Sequence, residues 1–535
     1  MRRNKIIILV ALLLALTVVL ALFASCGEKA IKNVPETKDN YRTFYQIFPY
    51  SFADSNGDGI GDINGIIAKL DYIADMNFDG IWLTPVHKST TYHKYDVIDY
   101  KSIDKQFGTL EDYDRLVEEC HKRGMTIILD LVLNHTSVKN EWFEYCIESH
   151  EEGMTDYKYY NYYNVKEGEA PSSTWTTVGK FCYESQFWSG MPDLNWDYVL
   201  DEPDGYLAQD IKDIMKFWLI DHKVDGFRLD AVHEFFTGNN AKSIEALTWL
   251  NDTAKAIKPD CYIVGEGPWN TTAYSYYGSG IDSFFLFNHG FSGSGSISMA
   301  ARGMSGAANW YNRIDRNNQT NIESGIPALF IANHDTARAY GILQGGVQDG
   351  LDNMKMGYGV MAMSAGATFW YYGDEIGMNA YPTNTGKKEV IDEHKRQPMP
   401  WGDSYQCKPV AGSTAVDDSV KYPLGNVKKN MRNRDSLISY ITRANALRRS
   451  FPAIARSYSE ELYNDGEYLT LVKKGAGADE IYIAVNFSHT YAQTLNLAKY
   501  GNFVLAGTLS VDKTPSLKGD ALTLPAMSFA VLRKV

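Results

Sequence analysis

From Arg42 onward, hydrophobic and polar positions follow one repeating theme. A short run of β-branched and aromatic residues ends in polar ones, and a stretch with apolar residues three and four apart follows. The runs are Phe44–Phe52, Gly80–Val86, Met125–Asn134, Val224–Val232, Cys261–Glu266, Ser283–Asn288, Ala328–Asn333 and Ala367–Tyr372. Helical patterns lie between them at Ile66–Met76, Leu110–Arg123, Tyr206–His222 and Ala241–Ile257. Near-continuous apolar strands separated by amphipathic helices predict a parallel sheet buried on both faces. Eight such units predict a (β/α)8 barrel, an α/β fold in which polar residues at the strand C-termini line the site.

Two intervals break the rhythm. About ninety residues separate Asn134 from Val224, too many for one helix and its loops. They are rich in Tyr, Trp, Ser and Gly, and predict a small inserted domain over residues 136–199. After Phe451 come alternating short runs at Tyr468–Val472, Glu480–Asn486, Phe503–Gly507 and Ser528–Leu532. They predict a C-terminal antiparallel β-sandwich over residues 451–535, leaving the barrel residues 41–135 and 200–450.

Composition narrows the class. The chain has 535 residues, 44% hydrophobic and 22% charged, which excludes collagen-like and wholly disordered readings. Its 52 basic and 65 acidic residues give a net charge of −13, and such a surface repels phosphate backbones, so no nucleic-acid partner is expected. Aromatic residues make up 13%, led by 36 Tyr. Their flat faces and polar tips suit sugars as well as cores and interfaces. Trp175, Trp188 and Trp196 fall in or beside the insertion, where they could flank a sugar cleft, whereas Trp82 and Phe227 sit on barrel strands and read as packing.

The N-terminus reads as an address. Arg2, Arg3 and Lys5 precede an uncharged, mostly apolar stretch from Ile6 to Ala24, the pattern of a secretory signal. Phe23-Ala24-Ser25-Cys26-Gly27 resembles the bacterial lipobox, with Phe23 where that motif prefers Leu. The resemblance implies a signal peptide over residues 1–25, lipidation of Cys26, a linker over residues 26–40 and a catalytic part tethered outside the bacterial membrane. An uncleaved anchor helix is the alternative, since the stretch nearly spans ~30 Å of hydrocarbon. The other cysteines, Cys120, Cys146, Cys182, Cys261 and Cys407, are odd in number and form no CxxC. Buried free thiols are therefore the simplest expectation. A monomer is expected.

Candidate chemistry sits at the strand ends. Asp230 follows Gly226-Phe-Arg228-Leu, Glu266 follows Gly265, and Asp335 closes Asn333-His334-Asp335. Strand three runs out through Asp130 to Asn134 and His135. A lone Asp at a strand end is usually a cap. Three carboxylates at one barrel mouth, with Arg228, His135 and His334 beside them, form the set that glycoside hydrolysis needs. Arg228 and Asp230 point to one face of a strand, so the guanidinium favours the ionised Asp230, while Glu266 needs a raised pKa to donate a proton.

In that order, DLVLNH, GFRLDA, GE and NHD resemble the four signatures of the α-amylase family, glycoside hydrolase family 13. GIWLTP (Gly80–Pro85), MPDLN (Met191–Asn195) and GATFWYYGDEIGM (Gly366–Met378) resemble its secondary signatures. The resemblance covers nearly the whole chain after Arg42. It implies Asp230 as nucleophile, Glu266 as general acid/base and Asp335 as transition-state stabiliser. Arg228, His135 and His334 match sugar-binding and charge-tuning positions. Tyr95 matches the stacking Tyr, and Asp96 the Asp that often meets the non-reducing end. Arg396 resembles the Arg that pairs with that Asp in exo-acting α-glucosidases; a surface-loop Arg is the alternative. Two departures concern the acceptor side: His233-Glu234 replace the usual Lys-His, and Trp269 stands one place beyond its usual distance from the acid.

Asp54, Asn56, Asp58 and Asp62 alternate with glycines, a spacing of hard oxygen donors that suits Ca²⁺. The loop resembles the calcium loop of oligosaccharide-acting members of the family, which implies a structural ion completed by the Ile60 carbonyl. A Gly/Asp-rich turn without metal is the alternative. Ala231 after the nucleophile goes, in resembling enzymes, with α-1,4 rather than α-1,6 preference, whereas MPDLN resembles a group intermediate between oligo-1,6-glucosidases and neopullulanases. The expectation is a retaining hydrolase of α-1,4 bonds in starch or maltooligosaccharides. An exo-acting oligosaccharide α-glucosidase or a transglycosylase is the enzymatic alternative. A glucan-binding or transporter-associated ectodomain is the non-enzymatic one.

Overall fold

The computed structural model describes residues 34–290, 292–345, 350–380 and 392–535. The expected leader and Cys26 lie outside the described residues. Among the described residues, no helix is long and apolar enough to cross a membrane.

Eight strands close a parallel barrel: β1 (Thr43–Ile47), β2 (Gly80–Leu83), β3 (Thr126–Leu131), β4 (Gly226–Leu229), β5 (Tyr262–Gly265), β6 (Ser283–Phe285), β7 (Ile326–Phe330) and β8 (Ala367–Tyr371). Each pairs with its neighbours in sequence, and β8 returns to β1 through Thr43–Thr368 and the residues after it. Seven of the eight expected runs contain a strand shorter than the run, and the run Ala328–Asn333 overlaps β7, which begins two residues earlier at Ile326. The first run stops at Ile47 because Pro49 lacks a backbone N–H donor and opens a short helix, Pro49–Phe52. The expected helix Tyr206–His222 is α-helical over Tyr206–Lys216 and then widens to a π-turn over Phe217–Asp221.

Alternation decides what fills the barrel. Phe44, Trp82, Ile128, Val264, Phe285, Phe330 and Phe369 belong to one buried cluster drawn from seven strands. Phe44 stacks on Phe369 at 4.9 Å and on Tyr262 at 5.4 Å. On β4, Gly226 leaves room for this packing, since a Cβ there would sit 1.8 Å from the Tyr262 carbonyl oxygen. Two residues further on, the same face of β4 presents Arg228.

The chain leaves the barrel after β3. Helix Glu141–Glu152 starts where the Asn140 side chain accepts the Trp142 N–H and stops at Gly153, whose φ of 68° lies in the left-handed region. Strands Val165–Glu167, Trp175–Val178 and Phe181–Glu184 form an antiparallel sheet with the last in the centre. The bridge His135–Asp193 ties this excursion back to the barrel mouth, and Tyr163–Leu194 closes the excursion on itself.

The C-terminal region consists of a five-stranded antiparallel sheet and a three-stranded one. Leu469, Leu471, Tyr482, Leu495, Leu522 and Leu532 form a buried core from both. It is joined to the barrel by a fully buried ion pair, Lys474 with Asp315, which also accepts the Ser459 hydroxyl at 2.7 Å. All five described cysteines are free and buried, as the odd count suggested.

Candidate active site

Arg228 organises the barrel mouth. In register, it faces Asp130 of β3 on one side and Val264 of β5 on the other. Its Nη1 donates to both Asp130 oxygens at 2.9 and 3.1 Å and to Asp230 Oδ1 at 2.5 Å, and its Nη2 donates to Glu266 Oε2 at 2.6 Å. The guanidinium also lies over the Trp82 ring, 5.4 Å from its centre. One fully buried cation thus holds three carboxylates, each on or at the end of a different strand.

Local backbone geometry aims these groups. The Glu266 N–H donates to the Leu229 carbonyl at 2.9 Å, extending the β4–β5 pairing by one residue. Ala231 follows Asp230 at φ 46°, a left-handed conformation unusual for a residue with a Cβ, and its N–H donates to Glu266 Oε2 at 3.1 Å. That kink turns the chain so that nucleophile and acid candidates share one cation. Beyond β7, Asn333 Oδ1 accepts the Asp335 and Thr336 N–H groups at 2.9 and 3.0 Å, a side-chain turn that presents Asp335.

Asp335 has its own partners, one neutral imidazole and one guanidinium. Its Oδ2 lies 3.0 Å from His334 Nε2, and its Oδ1 accepts Arg396 Nη2 at 2.8 Å. Gln46 Nε2 donates to His334 Nδ1 at 2.8 Å, which leaves the ring proton on Nε2, towards Asp335 and the Tyr95 hydroxyl. Tyr95 donates to Asp130 Oδ2 at 3.0 Å and lies parallel to His334, 5.4 Å between ring centres.

The environments push the carboxyl groups apart. Burial works against ionisation of Asp335, but His334, Arg396 and Arg228 outweigh it and hold its pKa well below the usual carboxylate range. Burial raises Glu266, helped by the Asp230 and Asp335 charges and opposed by Arg228 and the Ala231 amide. Asp230 is also raised by burial, with Arg228 opposing. Burial pushes Asp130 up to about 7 and His135 down to about 4, so the His135 imidazole is neutral at pH 7. His135 Nε2 is buried without a hydrogen-bond partner.

Asp96 and Arg396 do not pair. Asp96 is enclosed by the hydroxyls of Ser89, Thr90 and Thr91 and by the Thr90 N–H at 3.0 Å, so its oxygens are already satisfied. Arg396 is buried rather than a surface-loop residue. It grips Asp335 and donates from Nε to the His334 carbonyl at 3.0 Å. Trp196 is fully buried, stacks on Phe235 at 4.5 Å and donates to the Leu133 carbonyl at 3.0 Å, so it packs the excursion, and with Asn134, Asp193 and Glu234 it lines a cavity there. Trp188 is half exposed, and Trp175 lies under the Lys166 ammonium. On the acceptor side, His233 Nε2 meets Glu234 Oε1 at 3.1 Å, and Glu234 Oε2 accepts from Gln186 of the excursion at 3.4 Å.

Sequence reasoning passed over three groups that orient the site: Asp130, Gln46 and Lys395, whose Nζ donates to the Asp335 carbonyl at 2.7 Å. For Asp130 a signal existed, because it lies two residues beyond Ile128 on the inward face of β3.

The Asp54–Asp62 loop is wound by its own carboxylates. Asp54 accepts the Asn56, Gly57 and Gly59 N–H groups, Asn56 accepts from Asp58, and Asp58 from Ile60. Asp62 caps helix Ile63–Ala68 through Gly65 N–H at 2.7 Å. The donor chemistry, all oxygen, fits a hard cation. Among the described residues, however, no three His, Cys, Asp or Glu side chains are gathered as a metal-holding group.

Comparison with known proteins agrees with this geometry. The family model described as alpha amylase, catalytic domain, matches residues 46–457. Alpha-amylase 3 of Dictyoglomus thermophilum is 35% identical over 366 residues, covering 68% of each chain. The oligo-1,6-glucosidase of Parageobacillus thermoglucosidasius is 29% identical, covering 83% of this chain and 89% of its own. Among solved structures, Eubacterium rectale Amy13B superposes with a TM-score of 0.83 at 33% identity, covering 96% of this chain and 98% of that one. With the match spanning most of the chain and the barrel carrying its carboxylates at the expected mouth, the protein belongs to the alpha-amylase family and is a glycoside hydrolase.

Proposed function

We propose that the protein hydrolyses α-1,4-glucosidic bonds of starch and maltooligosaccharides with retention of configuration. The observation that carries this is the single Arg228 guanidinium bonded to both Asp230 and Glu266. One cation bridging both keeps the nucleophile and acid candidates side by side at the barrel mouth, as a pair of carboxyl groups flanking the scissile bond requires. Asp230 attacks the anomeric carbon and displaces the leaving sugar. Glu266 gives its proton to the departing glycosidic oxygen, then takes one from the water that releases the glycosyl group. Asp335, kept ionised by His334 and Arg396, stabilises the positive charge that develops on the ring.

Two observations favour α-1,4 bonds and internal cleavage. Ala231 follows the nucleophile, and the Asp96–Arg396 pair that resemblance associates with exo-acting α-glucosidases is not formed. A time course on maltoheptaose tests the reading. Mixed early products support it, glucose alone from the first minute indicates exo action, and longer products indicate transglycosylation. A non-enzymatic role is excluded if wild type hydrolyses a chromogenic maltooligosaccharide and Glu266→Gln does not.

The basic start, the apolar stretch and Cys26 support a lipid-anchored, extracytoplasmic location. The oxygen-rich loop supports a structural Ca²⁺ held by Asp54, Asn56, Asp58, Asp62 and the Ile60 carbonyl, and we propose both, with the chain acting as a monomer.

A further inference from the structure

A tyrosine-rich face lies on the excursion, where no hydrogen bond or ring contact joins it to Asp230, Glu266 or Asp335 among the described residues. Tyr145 and Tyr157 are each 39% exposed. Tyr145 stacks on half-buried Tyr159 at 5.3 Å and 23°, and Tyr157 meets Tyr159 edge-on at 5.7 Å. Tyr159 in turn packs on Tyr162 at 5.0 Å, so the layer is anchored from beneath. Lys158 pairs with Asp210 at 2.8 Å, and Tyr162 donates to Asp210 Oδ2 at 2.7 Å. This links the layer to helix Tyr206–Lys216. Tyr206, 57% exposed, is one turn from Asp210 on the same face of that helix.

We propose that this face is a second carbohydrate-binding site, which holds an α-glucan chain away from the catalytic centre. The proposal rests on the α-glucan reading above. Its support is chemical. Exposed phenol rings offer flat apolar faces to the C–H side of glucose, and their hydroxyl tips offer hydrogen bonds at the rim. The rings are held by one another, so binding freezes little side-chain motion. Lys158 and Asp210 compensate each other, and Glu141 adds negative charge beside Tyr159, so the face suits a neutral polymer and repels phosphate or anionic lipid.

The test uses the full-length protein with Glu266→Gln, so that binding is read without turnover, in native gels containing amylopectin. Tyr145→Ala/Tyr157→Ala should weaken retardation, raising the apparent Kd about 5-fold or more for loss of two ring contacts, and Tyr206→Ala, separately, should raise it about 2-fold or more for loss of one. The double Phe replacement at 145 and 157 keeps the rings and should keep retardation. With Glu266 intact, the same Ala variants should cleave a short chromogenic maltooligosaccharide with unchanged kcat/KM. Unchanged retardation in the Ala variants overturns the proposal. So does a proportional loss on the short substrate, which would place these rings in the catalytic site, or a change of oligomeric state alone, which would assign the face to a second copy. Tyrosine-dependent retardation by a wild type that cleaves no α-glucan would refute the α-1,4 reading and leave the platform standing.

Discussion

Replacing Arg396 by Gln tests the electrostatics of the site most directly. Arg396 is buried, donates to Asp335 Oδ1 at 2.8 Å and is fixed to the His334 carbonyl at 3.0 Å. Removing its charge takes away the cation that, beside the His334 N–H, holds Asp335 below the usual carboxylate range, so the Asp335 pKa rises. At pH 7 Asp335 stays ionised through His334, and the loss is one charge-assisted hydrogen bond to the stabilising carboxylate. Such a bond is worth about 1.5–3 kcal/mol, which is roughly a 10- to 150-fold fall in kcat/KM. The assay is kcat/KM on a chromogenic maltooligosaccharide from pH 4 to 9. The rate should fall across the whole profile while the acidic limb stays where Asp230 sets it, because burial raises Asp230 and Asp335 starts well below it. Arg396→Lys restores a charge without the fork and should recover part of the rate. An unchanged kcat/KM, or an effect confined to KM for short chains, would refute the pairing with Asp335 and return Arg396 to a role at the non-reducing end.

The remaining predictions concern single groups. Asp230→Asn should remove turnover to background while circular dichroism and solubility stay as in wild type; residual hydrolysis near the wild-type level would refute its role as nucleophile. Glu266→Gln should stabilise the fold at neutral pH. Its folded pKa is raised, so ionisation costs the native state above that pKa and costs nothing below the ordinary glutamate range. The gain should be read as a higher Tm than wild type at neutral pH, and it should vanish at low pH. Ala231→Gly should relieve about 1–2 kcal/mol of left-handed strain, visible as a higher denaturation midpoint, and Ala231→Val should lower it. Excess EDTA should lower Tm by emptying the Asp54–Asp62 loop, whereas an unchanged transition would show that amide bonds alone hold that loop.

The barrel was legible because its strands are buried on both faces and so appear as unbroken apolar runs. Where the run and the strand differ, a local rule explains it, as at Pro49, which ends β1 inside an apolar run. Carboxylate positions were legible for the same reason, since a polar residue closing an apolar run marks a strand's C-terminal end. Contacts between residues on different loops were not legible. Asp96 lies in a segment of Ser and Thr whose hydroxyls satisfy it locally, and nothing in the linear pattern says so. Arg396 was then free for Asp335, and only the closed fold brings its loop under His334.

The arrangement explains why one arginine serves three carboxylates. Asp130, Asp230 and Glu266 sit on or just beyond adjacent strands, and a buried cation between them offsets part of the repulsion that like charges would otherwise cause. The offset is unequal. Asp230 receives its contact from Nη1, which it shares with Asp130, whereas Glu266 receives Nη2 and also lies near the charges of Asp230 and Asp335. Asp335 escapes this competition because His334 and Arg396 reach it from the far side. The site thus separates a carboxyl group that must hold a proton from one that must not. It does so by placing cations, without needing different acids. If Arg228 is the common element, Arg228→Lys should disturb both functions at once. A single ammonium can approach Asp130 and Asp230 or Glu266 but has no second nitrogen to span them. Both limbs of the pH profile should then shift, whereas movement of one limb only would show that the three contacts are independent.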